Sequence, residues 1–273
     1  EPLLELSDIE TDWASSVIDT DRDVILVEEQ GRLVAWAQVY RDRGDADVRP
    51  DARGRGLGSG LIRWMEERML ARTPVGQAAV LGQPIPDSDA AAASLLEARG
   101  YERRWSSWVL RLPRDVEIAT PDLPSGVEVR PFRPDEEQTV HRVIDDAFNE
   151  WEGRLPTSFD DWRDGVTARP DFDPSLLFVT AVNGAVVGAC VGIHYPGDGW
   201  VDQVAVAKSH RGRGFAKAML ATAFAEFRHR GEDRMGLSTD SRTGALDLYL
   251  GVGMVVEQDF TNFGKVLRDA TAE

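Results

Sequence analysis

Two stretches of this 273-residue chain pair arginine with closely spaced glycines in a pattern that could hold an anion. The first contains Arg53-Gly54-Arg55-Gly56-Leu57-Gly58 and the second Arg211-Gly212-Arg213-Gly214-Phe215-Ala216. Each follows a strand-like stretch, ending at Val48 or Val206, and opens into an amphipathic segment, Ser59 to Arg72 or Lys217 to Arg228. A helix start leaves backbone N–H groups without intrahelical acceptors and carries the positive end of the helix dipole. With a guanidinium beside it, such a turn suits a pyrophosphate. Neither copy continues into the Gly-Lys-Ser/Thr of a nucleoside-triphosphate loop, and the glycine spacing does not fit a dinucleotide loop. Recurrence of the motif at a domain-sized interval implies two related domains in tandem.

The surrounding sequence supplies elements that could hold these loops in place. Val24 to Glu29, a Gln30-Gly31 turn and Leu33 to Tyr40 read as a β-hairpin, and Leu177 to Val182, Asn183-Gly184 and Val186 to Tyr195 repeat it. After each motif helix a further strand is expected, Gln77 to Leu81 and Arg234 to Ser238. A second helix ending in glycine follows, Ala90 to Arg99 before Gly100 and Thr243 to Val252 before Gly253. Closing strands run Arg104 to Leu112 and Val255 to Leu267. The proline-bearing stretch Pro113 to Gly126 reads as a linker. The second half adds a strand from Val127 and helices over Asp135 to Glu150 and Ser158 to Ala168. The first has only residues 1–20 there, so it is either abbreviated or lacks its natural start. The expected division is residues 1–112, a linker over 113–126, and residues 127–273.

Composition narrows the function classes. A formal net charge of −16 repels nucleic acid and anionic membrane and tolerates a cationic small molecule. No apolar run reaches the roughly 18 residues that a membrane span requires. The N-terminal residues lack the basic flank and apolar core of a signal peptide. Cys190 is the sole cysteine and lies in an apolar run, so no intrachain disulfide can form. A reducing, cytoplasmic location and a packing role for the thiol are expected. No metal site is expected.

With the loops, flanking strands and following helices in view, the chain resembles the GNAT superfamily of acyl-coenzyme A-dependent N-acyltransferases. More narrowly, it resembles the tandem-domain, mycothiol synthase-like group. The two Arg-x-x-Gly-x-Gly/Ala loops carry most of the resemblance, and Thr243 to Met254, with Leu248-Tyr249 and Gly253, matches the family's later helix. The resemblance implies an α/β (mixed α+β) fold of two tandem domains, each with a central bent mixed sheet flanked by helices. It also implies acetyl-coenzyme A as acyl donor and a small amine as acceptor. The pyrophosphate would lie on Arg211 to Ala216, with Arg53 to Gly58 as the first domain's counterpart. Backbone N–H groups of Val204, Ala205 and Val206 would polarise the acyl carbonyl.

Tyr249 is the expected acid for the departing thiolate. A phenol of pKa about 10 remains protonated at neutral pH and can still supply its proton to a thiolate whose conjugate acid has pKa near 8.5. Several residues remain candidates for handling the amine. They are Asp202 as base on the central strand, Glu150 and Glu152 as base or cation-binding groups, and His194 at the end of the preceding strand. Ser241 stands where the family pattern has a cofactor-contacting asparagine. Aligned by their terminal glycines, the two later helices put Leu96 opposite Tyr249, and Gly44 corresponds to Asp202. The first domain is therefore expected to be degenerate and the second catalytic. The rival expectation is a non-catalytic acyl-coenzyme A-binding protein with two such folds.

Overall fold

A computed structural model of the chain describes Trp13, residues 18–151, Arg154 and residues 156–270. Through Arg111 the elements are β1 (Val24–Glu29), β2 (Arg32–Tyr40), β3 (Arg43–Val48), α1 (Leu57–Arg72), β4 (Ala79–Pro86), α2 (Ala90–Ala98) and β5 (Glu102–Arg111). Next come β6 (Val127–Pro131), α3 (Glu137–Phe148), α4 (Phe159–Gly165), β7 (Leu177–Val182) and β8 (Ala185–Tyr195). The chain then forms β9 (Asp198–Val206), α5 (Phe215–His229), β10 (Arg234–Asp240), α6 (Leu246–Gly251) and β11 (Val255–Arg268). Among the described residues no helix is long and apolar enough to cross a membrane.

The chain forms two compact units. One joins the residues up to Ser106 with those from Phe260 onward; the other is Ser107–Asp259. In the first, β1-β2-β3-β4 is extended by residues 260–268 of β11, which pair antiparallel with β4. In the second the order is β5-β10-β9-β8-β7-β6, with residues 107–111 of β5 pairing antiparallel with β10. Each closing strand thus completes the sheet built by the other half of the sequence. The division expected from sequence differs here because strand pattern alone does not say which edge a closing strand will join.

Local chemistry accounts for the two hairpins. Asn183 (φ +50°) and Gly184 (φ +85°) both take the left-handed conformation a two-residue turn demands, as do Gln30 and Gly31. In the second unit one face of the sheet packs Cys190, Val206 and Leu237 against α5 and α6, where Met219, Phe224, Phe227 and Tyr249 are buried. The other face packs Val179, Ala189, Val191 and Ala205 against α3 and α4 through Ile144 and Trp162. Burying each Phe side chain contributes about 1.5–3 kcal/mol. The first unit's core sets Ala37, Val39, Leu81 and Phe263 against Leu61 and Met65 of α1 and Leu96 of α2.

The proline-bearing stretch has no regular structure, yet it packs on the second unit. Val116, Ile118 and Leu123 lie against the α5/α6 core, and Arg228 donates to the carbonyls of Pro113 and Val116.

Candidate active site

Strands β9 and β10 pair in parallel only from Asp198↔Arg234 to Val201↔Leu237. Beyond that point β9 continues to Val206 and β10 to Asp240, and the two part. On its other edge β9 remains paired with β8 up to Val206↔Gly188, and Ala207 N–H donates to Val187 C=O at 2.8 Å. Backbone groups in an antiparallel ladder alternate in direction. Ala205 therefore turns its N–H into the β8 ladder, whereas the N–H groups of Val204 and Val206 face the opening. The carbonyl of Val206 faces the same way and accepts Arg211 Nε at 2.9 Å. Of the three donors expected from sequence, strand alternation withdraws Ala205.

A β-bulge sits where the strands part. Val191 lies opposite Gln203 and Gly192 opposite Val201, which leaves Asp202 as the extra residue. The bulge turns Asp202 toward α4, where it lines a small open pocket with Val166, Arg169, Asp171, Phe172 and Val191. Val204 packs on the opposite face with the α5/α6 core. Simple alternation would place Asp202 and Val204 on one face; the inserted residue separates them. Asp202 keeps solvent-facing surface at the pocket while protein packs round its other sides, and that enclosure raises its carboxyl above the ordinary carboxylate range. Gln203 Nε2, donating to Asp202 Oδ2 at 3.1 Å, and the Arg169 guanidinium act in the opposite direction. Arg169 is itself held by Asp171 at 2.8 and 2.6 Å.

Tyr249 projects from α6 into the core shared with Cys190 and is 6% exposed. Burial, with a smaller effect from Cys190, pushes its phenol well above the usual value, so the group keeps its proton at neutral pH. Burial also pushes the Cys190 thiol up to about 12, which suits packing and not nucleophilic attack. In α2, Leu96 C=O accepts Tyr101 N–H at 3.1 Å, and in α6 Tyr249 C=O accepts Met254 N–H at 3.1 Å. The two residues thus hold one position in matching helix ends. Gly44 has no room for a side chain, since a Cβ there would lie 2.7 Å from Met65 Sδ and 3.1 Å from Leu81 Cδ1.

The two glycine loops have closely matching backbones. Each begins with a short 3-10 turn, Pro50–Ala52 or Lys208–His210, and passes through a left-handed glycine, Gly56 (φ +86°) or Gly214 (φ +81°), into its helix. Arg53 Nε donates to Val48 C=O at 3.1 Å just as Arg211 Nε does to Val206. The N–H groups of Gly212 through Lys217 have no acceptor among the described residues, and open space lies where a Cβ of Gly212 would be. This cradle fits the pyrophosphate of coenzyme A.

Charge distinguishes the loops. Around the second, the Arg211 guanidinium meets both oxygens of Glu150 at 3.0 Å, and Lys208 Nζ lies 3.4 Å from the same carboxylate. Arg211 holds the Glu150 carboxyl below its usual range. In the first, Arg55 is paired with Glu29, and Asp51 engages Arg32 and Arg49.

The remaining expected residues are scattered. Glu150 lies against the glycine loop and not in the pocket beside Asp202. His194 is opposite Gly199, where β9 and β10 are still paired, and its Nδ1 contacts the buried Glu232. Ser241 is exposed on the turn after β10. Glu152 lies outside the described residues. Gln203, Trp162, Arg169 and Asp171 were not singled out from sequence, because only the bulge brings them to Asp202.

A parted parallel strand pair above a glycine cradle is matched by family membership. The chain fits the acetyltransferase (GNAT) family over residues 2–101 and 138–254, and it belongs to that family. It is 31% identical over 237 residues to a mycothiol acetyltransferase of Nocardioides sp., covering 79% of this chain and 77% of the relative. A mycothiol acetyltransferase of Kineococcus radiotolerans is 30% identical over 242 residues, covering 82% and 75%. Among solved structures, a GCN5-related N-acetyltransferase from Sphaerobacter thermophilus matches at a TM-score of 0.85 and 31% identity, over 100% of this chain and 89% of that one. A tandem GNAT protein from the clavulanic acid biosynthesis pathway shares the fold, with a TM-score of 0.66 and 17% identity over 91% and 84%. The chain is accordingly an N-acetyltransferase that uses acetyl-coenzyme A.

Proposed function

We propose that the second unit transfers the acetyl group to a small primary amine, and that the first contributes structure or cofactor binding without turnover. The observation that carries this reading is the opening between β9 and β10, which has on one side two N–H donors without an acceptor among the described residues, and Tyr249 in the adjoining core. The corresponding side chains of the first unit are Leu96 and Gly44, neither of which can exchange a proton. Bound acetyl-coenzyme A supplies the thioester.

The N–H groups of Gly212 to Lys217 bind the pyrophosphate, and Val204 and Val206 present fixed donors to the pantetheine arm and the acyl oxygen. Asp202 accepts the proton that the acceptor ammonium must lose, directly or through water in its pocket. An alkylammonium of pKa near 10 would otherwise be almost wholly protonated at neutral pH. Tyr249 gives its proton to the departing sulfur and is reset from solvent. The names of the relatives make a mycothiol-precursor amine the first acceptor to test.

The experiment is coenzyme A release from acetyl-coenzyme A across a panel containing that precursor, glucosamine and simple alkylamines. Turnover that Tyr249→Phe abolishes supports the assignment. Turnover lost only on disrupting Arg53 and Gly56 would transfer the chemistry to the first unit.

A further inference from the structure

Asp202 and Gln203 are neighbours in a strand, and neighbours in a regular strand point to opposite faces. Here they touch: Gln203 Nε2 lies 3.1 Å from Asp202 Oδ2. The bulge makes this possible by turning both residues toward α4. Gln203 Oε1 in turn accepts the indole Nε1–H of Trp162 at 3.1 Å, and Trp162 is 5% exposed. An indole N–H can only donate. It therefore fixes which end of the Gln203 amide is which, presenting the oxygen to Trp162 and the NH₂ to Asp202.

We infer that Trp162 and Gln203 are positioning residues for Asp202, holding one carboxylate oxygen as an acceptor so that the other faces the pocket. This role in the reaction rests on the reading of Asp202 as the base. Enclosure by protein favours the protonated acid, which cannot take a proton from the amine. A donor locked against Oδ2 favours the carboxylate, so the pair keeps a partly enclosed base ionised. A freely turning amide would offer its oxygen as readily as its NH₂ and lose that preference.

Few other charges bear on the group. Arg169 and Asp171, from the segment after α4, line the same pocket and are paired with each other. Strand β8 contributes Val191, Gly192 and Ile193 to the pocket wall, none of them charged, and its Tyr195 hydrogen-bonds the Arg169 guanidinium. On α3, His141 lies against the Trp162 ring at 5.6 Å between centroids and has its Nε2 engaged by Thr157 C=O.

The test follows the carboxyl carbon of Asp202 by NMR in the full chain labelled with [4-¹³C]aspartate, assigned by its loss in Asp202→Asn. In Gln203→Leu and in Trp162→Phe the titration midpoint should move up by roughly half to one pH unit. In the unsubstituted protein the Trp162 indole N–H resonance should titrate with the same midpoint, and Gln203→Leu should uncouple it. A midpoint unchanged in both variants overturns the inference. If the midpoints move but Asp202→Asn transfers acetyl groups at the full rate, the hydrogen-bonded chain stands and the base reading falls, taking the catalytic role with it.

Discussion

Leu96 stands in the first unit where Tyr249 stands in the second, each with its carbonyl accepting the N–H five residues on at 3.1 Å. Two helix ends of the same geometry thus carry a side chain with no proton to give and one whose buried phenol retains its proton. Tyr249→Phe keeps the ring and removes the hydroxyl proposed to act as the acid. The maximal rate should fall by roughly 10²-fold or more, with the dissociation constant for acetyl-coenzyme A unchanged within twofold. Steady-state kinetics and calorimetry on the same preparation check this, and an undiminished rate removes Tyr249 from the mechanism.

Arg211 and Gly214 support the cradle in different ways, one tying the loop to the strand end and the other supplying a left-handed φ. Gly214→Val places a β-branched residue at φ +81° and brings its Cβ within 3.4 Å of Pro121. Acetyl-coenzyme A affinity should drop at least tenfold, as it should in Arg211→Glu. Arg53→Glu combined with Gly56→Asp should leave turnover within twofold. The reverse outcome would mean that the first loop serves the reaction.

Glu150 holds the Arg211 guanidinium, and on the proposed reading it would compete there with the cofactor phosphate. Glu150→Gln removes the competing anion and should tighten acetyl-coenzyme A binding by roughly two- to fivefold at low salt, with the gain shrinking as salt rises. Calorimetry at two ionic strengths reads both effects. Weakened binding would mean that the carboxylate positions the guanidinium instead of occupying it.

On the proposed reading, Asp202 links pH to both rate and stability. Its folded-state pKa is raised, so the folded protein holds this proton more tightly than the unfolded chain does. Stability is therefore lost as pH rises from the unfolded value through the folded one. Asp202→Asn should consequently unfold at a higher temperature than the parent at pH 7. It should also lose the acidic limb of the kcat/KM profile, which in the parent lies above the ordinary aspartate value of about 3.9. A melting temperature that falls at pH 7 would contradict the destabilising enclosure.

Much of the scaffold was legible because it is written in local chemistry. Asn183-Gly184 and Gln30-Gly31 announce their hairpins, and the amphipathic segment Lys217 to Arg228 marks most of α5. The helix expected from Thr243 begins instead at Leu246. Thr243 Oγ1 donates to Asp240 C=O at 2.8 Å and accepts Ala245 N–H at 3.0 Å, making a stapled turn. Strand β4 runs on to Pro86, past the Leu81 expected, because pairing with β11 carries it through two prolines. The glycine loops and Tyr249 were readable as motifs. The bulge at Asp202 was not, since one extra residue in a ladder leaves no mark in composition or period. Its consequences, the altered face of Asp202 and the approach of Gln203, were equally hidden. The capture of Arg211 by Glu150 was hidden too, because it depends on where the chain goes after α3.

The crossing of β5 and β11 makes the chain indivisible. A cut within 113–126 would give an upstream fragment whose β4 lacks its neighbour at residues 260–268, and a downstream fragment whose β10 lacks residues 107–111. Each piece would display a bare strand edge ready to recruit another molecule. Mixed together, the two pieces would restore each other, whereas either alone would aggregate. Any evolutionary trimming of the first half would therefore have to spare its last strand.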